Sequence, residues 1–202
     1  MPAGRPRTFD VDAAVDAAML LFWEQGYEGT SLADLRAAMR ISSASFYAAF
    51  ESKAALFERA LKRYVSSWGA ITDVVRDPGL SGRDAIARLL HGSIDMQTDP
   101  RHPAGCLVAL SSGLTGEQTP TSVRDAVARR REEDRQGIEW CVIRAVDTGE
   151  LRQDTDVIGL SGLLHGLLLG LSVQIRDGAE PKSLHSGADA SLHVWDAFAA
   201  SV

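Results

Sequence analysis

The side chains best suited to close polar contact are small hydroxyls gathered in one short stretch. Ser42, Ser43 and Ser45 surround Ala44, and Tyr47 adds a hydroxyl on a longer reach. Small residues let a backbone come near another surface, and free N–H groups at a helix start favour a phosphate. Thr30 and Ser31 offer the same chemistry upstream, Lys53 supplies a point charge, and Arg5 and Arg7 bring two guanidiniums. No G-x-S-x-G, H-E-x-x-H, P-loop or G-x-G-x-x-G occurs, so no catalytic residue is expected. The histidines at 91, 102, 165, 185 and 193 lack strong metal-ligand spacing. His102 and Cys106 form a possible pair without further ligands nearby, so neither a metal nor a cofactor is expected.

Those groups must be positioned by the elements around them. The arm Met1–Thr8 holds two Pro and one Gly and reads as flexible. Asp10 is an N-cap, and apolar residues from Val11 to Phe22 recur at helical spacing until Gly26. Ser31 and Asp34 form a capping box for a short helix through Met39. After a break at Ile41, a second short helix runs from Ser43 to Phe50. Ser52 caps the next, whose apolar stripe predicts a helix reaching about Val75 before Asp77-Pro78-Gly79. Further helices are expected over Ser81–Thr98, Gly105–Leu114, Thr121–Asp147 and Asp156–Arg176, with a last one from Pro181. No strand pattern appears, so the fold class expected is all-α.

Two short helices across a tight turn have the spacing of a helix-turn-helix, whose second helix enters the major groove by its N-terminal end. Arg5 and Arg7 would then reach an adjacent minor groove or phosphates. The same pair of capped helices also occurs in helical proteins that bind no nucleic acid, with Phe46 and Phe50 as plain core. A helical module that holds a small molecule without touching DNA therefore stands beside this reading.

The stretches Gly26-Tyr27-Glu28-Gly29-Thr30-Ser31, Ile41-Ser42-Ser43-Ala44-Ser45-Phe46-Tyr47-Ala48-Ala49-Phe50 and Ser52-Lys53-Ala54-Ala55-Leu56-Phe57 resemble the DNA-binding domain of the TetR family of repressors. The resemblance implies phosphate contacts at Thr30, Tyr47 and Lys53, and base-facing positions at Ser43, Ala44, Ser45 and Ala48. Where the family often has Lys-Gly after the turn, this chain has Ser43-Ala44. No long bidentate side chain faces the bases, so modest base readout is expected, with DNA shape and backbone contacts supplying much of the rest. The function implied is a ligand-responsive, sequence-specific regulator: a repressor released from a palindromic operator by a small-molecule effector. The resemblance implies an N-terminal three-helix helix-turn-helix domain and a C-terminal helical ligand-binding and dimerisation domain: 1–52 for the DNA-reading head, with its arm 1–8, and 53–202 for the regulatory body, helix 53–75 joining the two.

Gly162, Gly166 and Gly170 recur every four residues and make one smooth helix face. In a membrane this spacing pairs helices, but the apolar run is short for a span and carries His165, Ser161 and Ser172, so no membrane is expected. Resemblance to the C-terminal region of one TetR subgroup implies that the last two helices pair with their copies. Gly162, Gly166, Gly170, Leu192 and Trp195 are the interface candidates in such a homodimer. Trp68, His91, Met96, Cys106, Leu107, Leu110, Trp140 and His165 are candidates for the effector pocket, although each also reads as ordinary core. Cys106 follows Gly105 at a predicted helix start, where the helix dipole would lower its thiol pKa, and oxidant sensing competes there with a small buried hydrophobe.

Bulk composition is compatible with all of this. The 202 residues are 45% hydrophobic and 24% charged, enough for a sizeable core. The net charge of -6 lies entirely behind the head: residues 1–63 carry eight basic and eight acidic side chains, residues 64–202 thirteen and nineteen. An acidic body discourages the wrong face from meeting DNA. Two isolated cysteines and no secretory pattern predict a reducing, cytoplasmic location.

Overall fold

The computed structural model describes residues 9–111 and 119–200. Among them the helices are α1 (Val11–Gly29), α2 (Leu32–Met39), α3 (Ser43–Phe50), α4 (Lys53–Val65), α5 (Gly82–Gln97), α6 (Leu107–Leu110), α7 (Thr121–Asp147), α8 (Val157–Arg176) and α9 (Pro181–Ala197). A 3-10 segment covers Trp68–Arg76, and the described residues hold no strand, only an isolated bridge between Leu151 and Ala199.

Local chemistry sets the boundaries. The Asp10 carboxylate accepts from the backbone of Asp12 and Ala13. Gly26 interrupts α1 at φ 73°, ψ 170°, a backbone region that only glycine enters cheaply. The capping box of Ser31 and Asp34 is fully formed, and Ser42 and Ser52 cap α3 and α4. The helix expected over 52–75 is broken. Ser66 and Ser67 turn their hydroxyls back onto the Arg63 carbonyl, at 3.1 and 2.7 Å, and compete with the helical ladder. The chain resumes as the tighter 3-10 segment, which brings Thr72 and Arg76 against α7.

Two apolar clusters organise the packing. The first joins α1 to α4 and extends into α6 and the start of α7, through Leu107, Val108, Val123 and Val127. At its centre Phe22 and Tyr27 both meet the edge of Phe57, with ring centroids 5.1 and 5.3 Å away. Phe46 and Phe50 root α3 in this cluster. Arg63 grips Asp16 with two short bonds, tying α4 to α1. The second cluster lies among α5, α7, α8 and α9. There the Glu150 carboxylate accepts from the backbone N–H groups of Gly82 and Arg83, both at 2.7 Å, and closes the N-terminus of α5.

Leu192 and Trp195 were expected at a dimer interface, but their own chain buries them. Trp195 is 1% exposed and packs so closely on Gly82 that a Cβ there would lie 2.8 Å from the indole. The apolar period of α9 marks its inner face. Trp195→Ala should therefore destabilise the folded chain by about 3–5 kcal/mol in urea unfolding. A change confined to self-association would contradict the internal placement.

Candidate nucleic-acid interface and ligand cavity

The start of α3 is an open surface. Ser42, Ser43, Ala44, Tyr47 and Ala48 are exposed and Ser45 half-buried, while Phe46 and Phe50 anchor the opposite face. The Ser42 hydroxyl accepts from the Ser45 N–H and donates to the Ser45 hydroxyl. This edge is thus fixed before any partner arrives.

Not every expected contact faces outward. Thr30 is 1% exposed, and its hydroxyl donates to the Gly26 carbonyl at 2.7 Å, so it fixes the turn into α2 from inside. The Ser31 hydroxyl is engaged with Asp34. Lys53 is half-buried with its ammonium 4.2 Å from the Tyr27 ring centroid. Burial lowers its pKa, and the nearby Glu28 opposes that shift. Arg5 and Arg7 lie outside the described residues. Sequence reading missed Arg40, which closes α2 in the left-handed region at φ 55° and stands exposed in the turn before α3. A long charged side chain at a turn looks, in sequence, like any solvated residue.

Behind the head, α4, α5, α7 and α8 enclose a cavity of about 30 Å³. That volume admits roughly two waters. Among the candidates, Met96, Cys106 and His165 line it. Leu107 and Leu110 instead border a separate cleft beside Trp23 and Arg176. Trp68 packs on His102, with ring centroids 4.4 Å apart. Two candidates lie elsewhere. Trp140 is 42% exposed on α7 beneath Arg144. His91 faces α9, where it pairs with His185. Helical periodicity could not separate these faces of α5 and α7.

The polar lining was largely missed. Ser93 and Gln97 approach the cavity from α5, and His165 and Ser172 from α8. One buried polar atom on each of these four has no hydrogen-bond partner. Arg130 and Asp134 on α7 pair at 2.9 Å and share Thr72, so their charges are internally matched. Burial raises the pKa of Asp134 despite Arg130, and burial lowers that of His165. Their sequence signal was weak, because Arg130 and Asp134 sit in a run that reads as a solvated face.

Cys106 sits at the junction of cavity and head. The expected helix-dipole effect on its thiol is overridden, since burial raises its pKa although the Tyr64 hydroxyl, 3.1 Å away, opposes the shift. Tyr64 meets Trp23 edge-on at 4.8 Å, and the Trp23 indole N–H donates to the Gly105 carbonyl at 3.0 Å. Gly105 has φ 81°, and a Cβ there would strike Leu110 and crowd the Ser172 carbonyl. Arg176 completes the junction by donating to the carbonyls of Trp23 and Glu24. One atom group thus touches α1, α4, α8 and the cavity wall.

On α8, a Cβ built at Gly162, Gly166 or Gly170 meets nothing within 4 Å, so the glycine stripe faces outward. Ile158, Leu163 and Val173 are exposed on the same helix. This helix is long and apolar enough to cross a membrane by length and composition. In the fold its other face packs into the second cluster through Leu160, Leu164, Leu168 and Leu171. Among the described residues, no group of three or more His, Cys, Asp or Glu side chains is arranged to hold a metal.

Comparison with known proteins agrees with this architecture. The family described as "Bacterial regulatory proteins, tetR family" matches residues 14–60, and "Tetracyclin repressor-like, C-terminal domain" matches residues 82–190. The chain is 31% identical to the HTH-type transcriptional repressor ComR of Escherichia coli (strain K12), covering 95% of this chain and 91% of that protein. It is also 31% identical to YezE of Bacillus subtilis (strain 168), an uncharacterized HTH-type regulator, over 96% and 100% of the two chains. A cysteine-substituted CifR, solved with 26bp operator DNA, superposes with a TM-score of 0.89 at 39% identity, over 95% of this chain and all of that one. With a helix-turn-helix head, an all-helical body and both family domains in order, the chain belongs to the TetR family of DNA-binding transcriptional regulators, and not to an enzyme family.

Proposed function

We propose that the protein is a cytoplasmic homodimeric repressor whose α3 helices read two half-sites of a palindromic operator and which a small molecule releases. The observation that carries this reading is the exposed, small-residue start of α3, held rigid by Phe46, Phe50 and the Ser42 cap. Ser43, Ala44, Ser45 and Ala48 face the bases. Tyr47, Lys53 and Arg40 meet phosphates, and the arm with Arg5 and Arg7 reaches the neighbouring groove. The outward glycine stripe of α8, beside exposed Gly187, Ala190 and Val194 on α9, is the face on which two copies pair. Pairing places the two heads about 34–36 Å apart, or a multiple of that.

The effector belongs in the cavity. Four unpartnered polar atoms in an apolar wall suit a small molecule that both donates and accepts hydrogen bonds. With Arg130 and Asp134 already paired, the wall offers no free charge, so the effector is uncharged. The cavity is small in this conformation, whose backbone follows that of a CifR solved with operator DNA. A ligand larger than two waters must bind an expanded conformer, and it shifts the population toward that conformer. Expansion displaces Tyr64 and Cys106, and through Trp23 it turns α1 and the head.

Fluorescence anisotropy with DNA flanking the protein's own gene tests the reading. Binding should exceed that to scrambled DNA and weaken as salt rises. The double substitution Tyr47→Ala with Lys53→Ala should remove the preference while leaving the helical content intact. Unaltered preference in that variant would reject the assigned face. Leu163→Asp should yield monomers in light scattering and lose operator binding. A dimer that persists in this variant would move the interface off α8.

Thiol chemistry checks the closed cavity. Because burial raises its pKa, Cys106 stays protonated beyond the ordinary thiol range. Iodoacetamide at pH 8 should label it more slowly in the native chain than in urea, with the native rate climbing as pH rises further. Equal rates in both states would show the cavity to be open.

A further inference from the structure

The seam between α5 and α9 contains an arrangement that neither DNA reading nor the effector cavity uses. Each helix carries a histidine followed four residues later by an aspartate: His91 and Asp95 on α5, His185 and Asp189 on α9. The helices run antiparallel, as Arg83 pairing with Asp196 shows, so the two motifs meet head to tail. His91 Nε2 lies 3.1 Å from Asp189, and His185 Nε2 lies 3.2 Å from Asp95. The two Nδ1 atoms then face each other at 2.7 Å. The rings are nearly parallel, with centroids 5.0 Å apart. That separation is the Nδ1 contact plus about one ring radius at each end, so the imidazoles meet edge to edge with lone pairs converging.

The carboxylates define what this slot holds. A carboxylate only accepts, so a hydrogen on each Nε2 faces it and each Nδ1 lone pair is turned toward the other ring. Two imidazoles, each oriented through its far nitrogen by a carboxylate, are also the supported form of histidine metal ligands. We propose that His91 and His185 form a binding site for a divalent transition cation of the zinc class, held between the two Nδ1 atoms.

The cation requires a modest rearrangement. Zinc–nitrogen bonds of about 2.0–2.1 Å at a tetrahedral angle set the nitrogens about 3.3 Å apart, so the rings must separate by roughly 0.6 Å and each turn by about 35° to aim its lone pair at the ion. Both imidazoles are 31% exposed, and Asp95 and Asp189 are 73% and 64% exposed, so the carboxylates can follow. Water completes the coordination, and imidazole nitrogen favours zinc-class ions over magnesium or calcium. Two neutral imidazoles, two carboxylates and the cation sum to zero charge. The cation clamps α5, which carries Ser93 and Gln97 of the cavity wall, onto α9.

Titration of the untagged full-length chain with Zn2+ decides the matter. Calorimetry should give one Zn2+ per chain, and no binding with Mg2+. At a hundredfold excess over Kd, Zn2+ should raise the Tm by about 5 °C. His91→Gln and His185→Gln should each abolish binding while His193→Gln retains it. Asp95→Asn with Asp189→Asn should weaken binding about tenfold or more. Absence of Zn2+ binding in the parent chain, or binding that survives either histidine substitution, overturns the proposal. Imidazole nitrogen NMR offers a reading independent of stability: a Zn2+-induced shift at Nδ1 of both rings supports the site, and a shift elsewhere rejects it.

Discussion

The hydrogen bond from the Trp23 indole to the Gly105 carbonyl is the contact on which the two halves of the chain depend. Its donor belongs to the first helix, in front of the DNA-reading segment. Its acceptor lies on the loop that closes the cavity. Gly105 can be reached because it lacks a Cβ and sits in the left-handed region, where its N–H also bonds the Gln97 carbonyl at the end of α5. His102 stacks on the same indole with centroids 4.4 Å apart, and Tyr64 closes its edge. A rigid aromatic ring with three partners cannot shift by degrees. The junction thus ties the head to the cavity wall as one packed unit.

The cavity has the complementary property. A buried hydroxyl or amide without a partner costs about 1–3 kcal/mol. Ser93, Gln97, His165 and Ser172 place four such atoms around a small space. An apolar replacement would be more stable, so the polar lining weakens the closed state and leaves interactions for a ligand to satisfy. The paired Arg130 and Asp134 keep that invitation uncharged. On the proposed reading, stability given up in the wall becomes differential affinity for an effector, which can drive a conformational shift.

Much of the head was legible because its signals are local. Ser31 with Asp34 and the caps at Ser42 and Ser52 act within four residues, and each appears where the sequence placed it, while Gly26, expected to end α1, kinks it and the helix resumes to Gly29. Helical periodicity likewise gave α5, α7, α8 and α9. What failed was the direction of a face. Apolar spacing in α9 marked Leu192 and Trp195 as contact residues without distinguishing a partner from the chain's own core. Trp140 and His91 went astray in the same way. The cavity was hidden because its polar atoms come from helices far apart in sequence, and each looks unremarkable on its own helix. The hydroxyls of Ser66 and Ser67 were a readable break in the helix after Ser52, masked by a continuing apolar stripe.

The glycine stripe of α8 also bears on how the protein persists in a cell. Each interior glycine costs a helix roughly 1 kcal/mol relative to alanine, and Gly159, Gly162, Gly166 and Gly170 lie in one helix. A lone copy exposes that weak helix to water with Ile158 and Leu163 bare on its surface. If two copies pair through α8, the neighbour holds this helix, and a lone copy leaves its outer face open to fraying and proteolysis. On the dimeric reading, newly made chains that fail to meet a partner are the ones removed. The level of regulator then rises more steeply than its rate of synthesis, because survival itself depends on encounter.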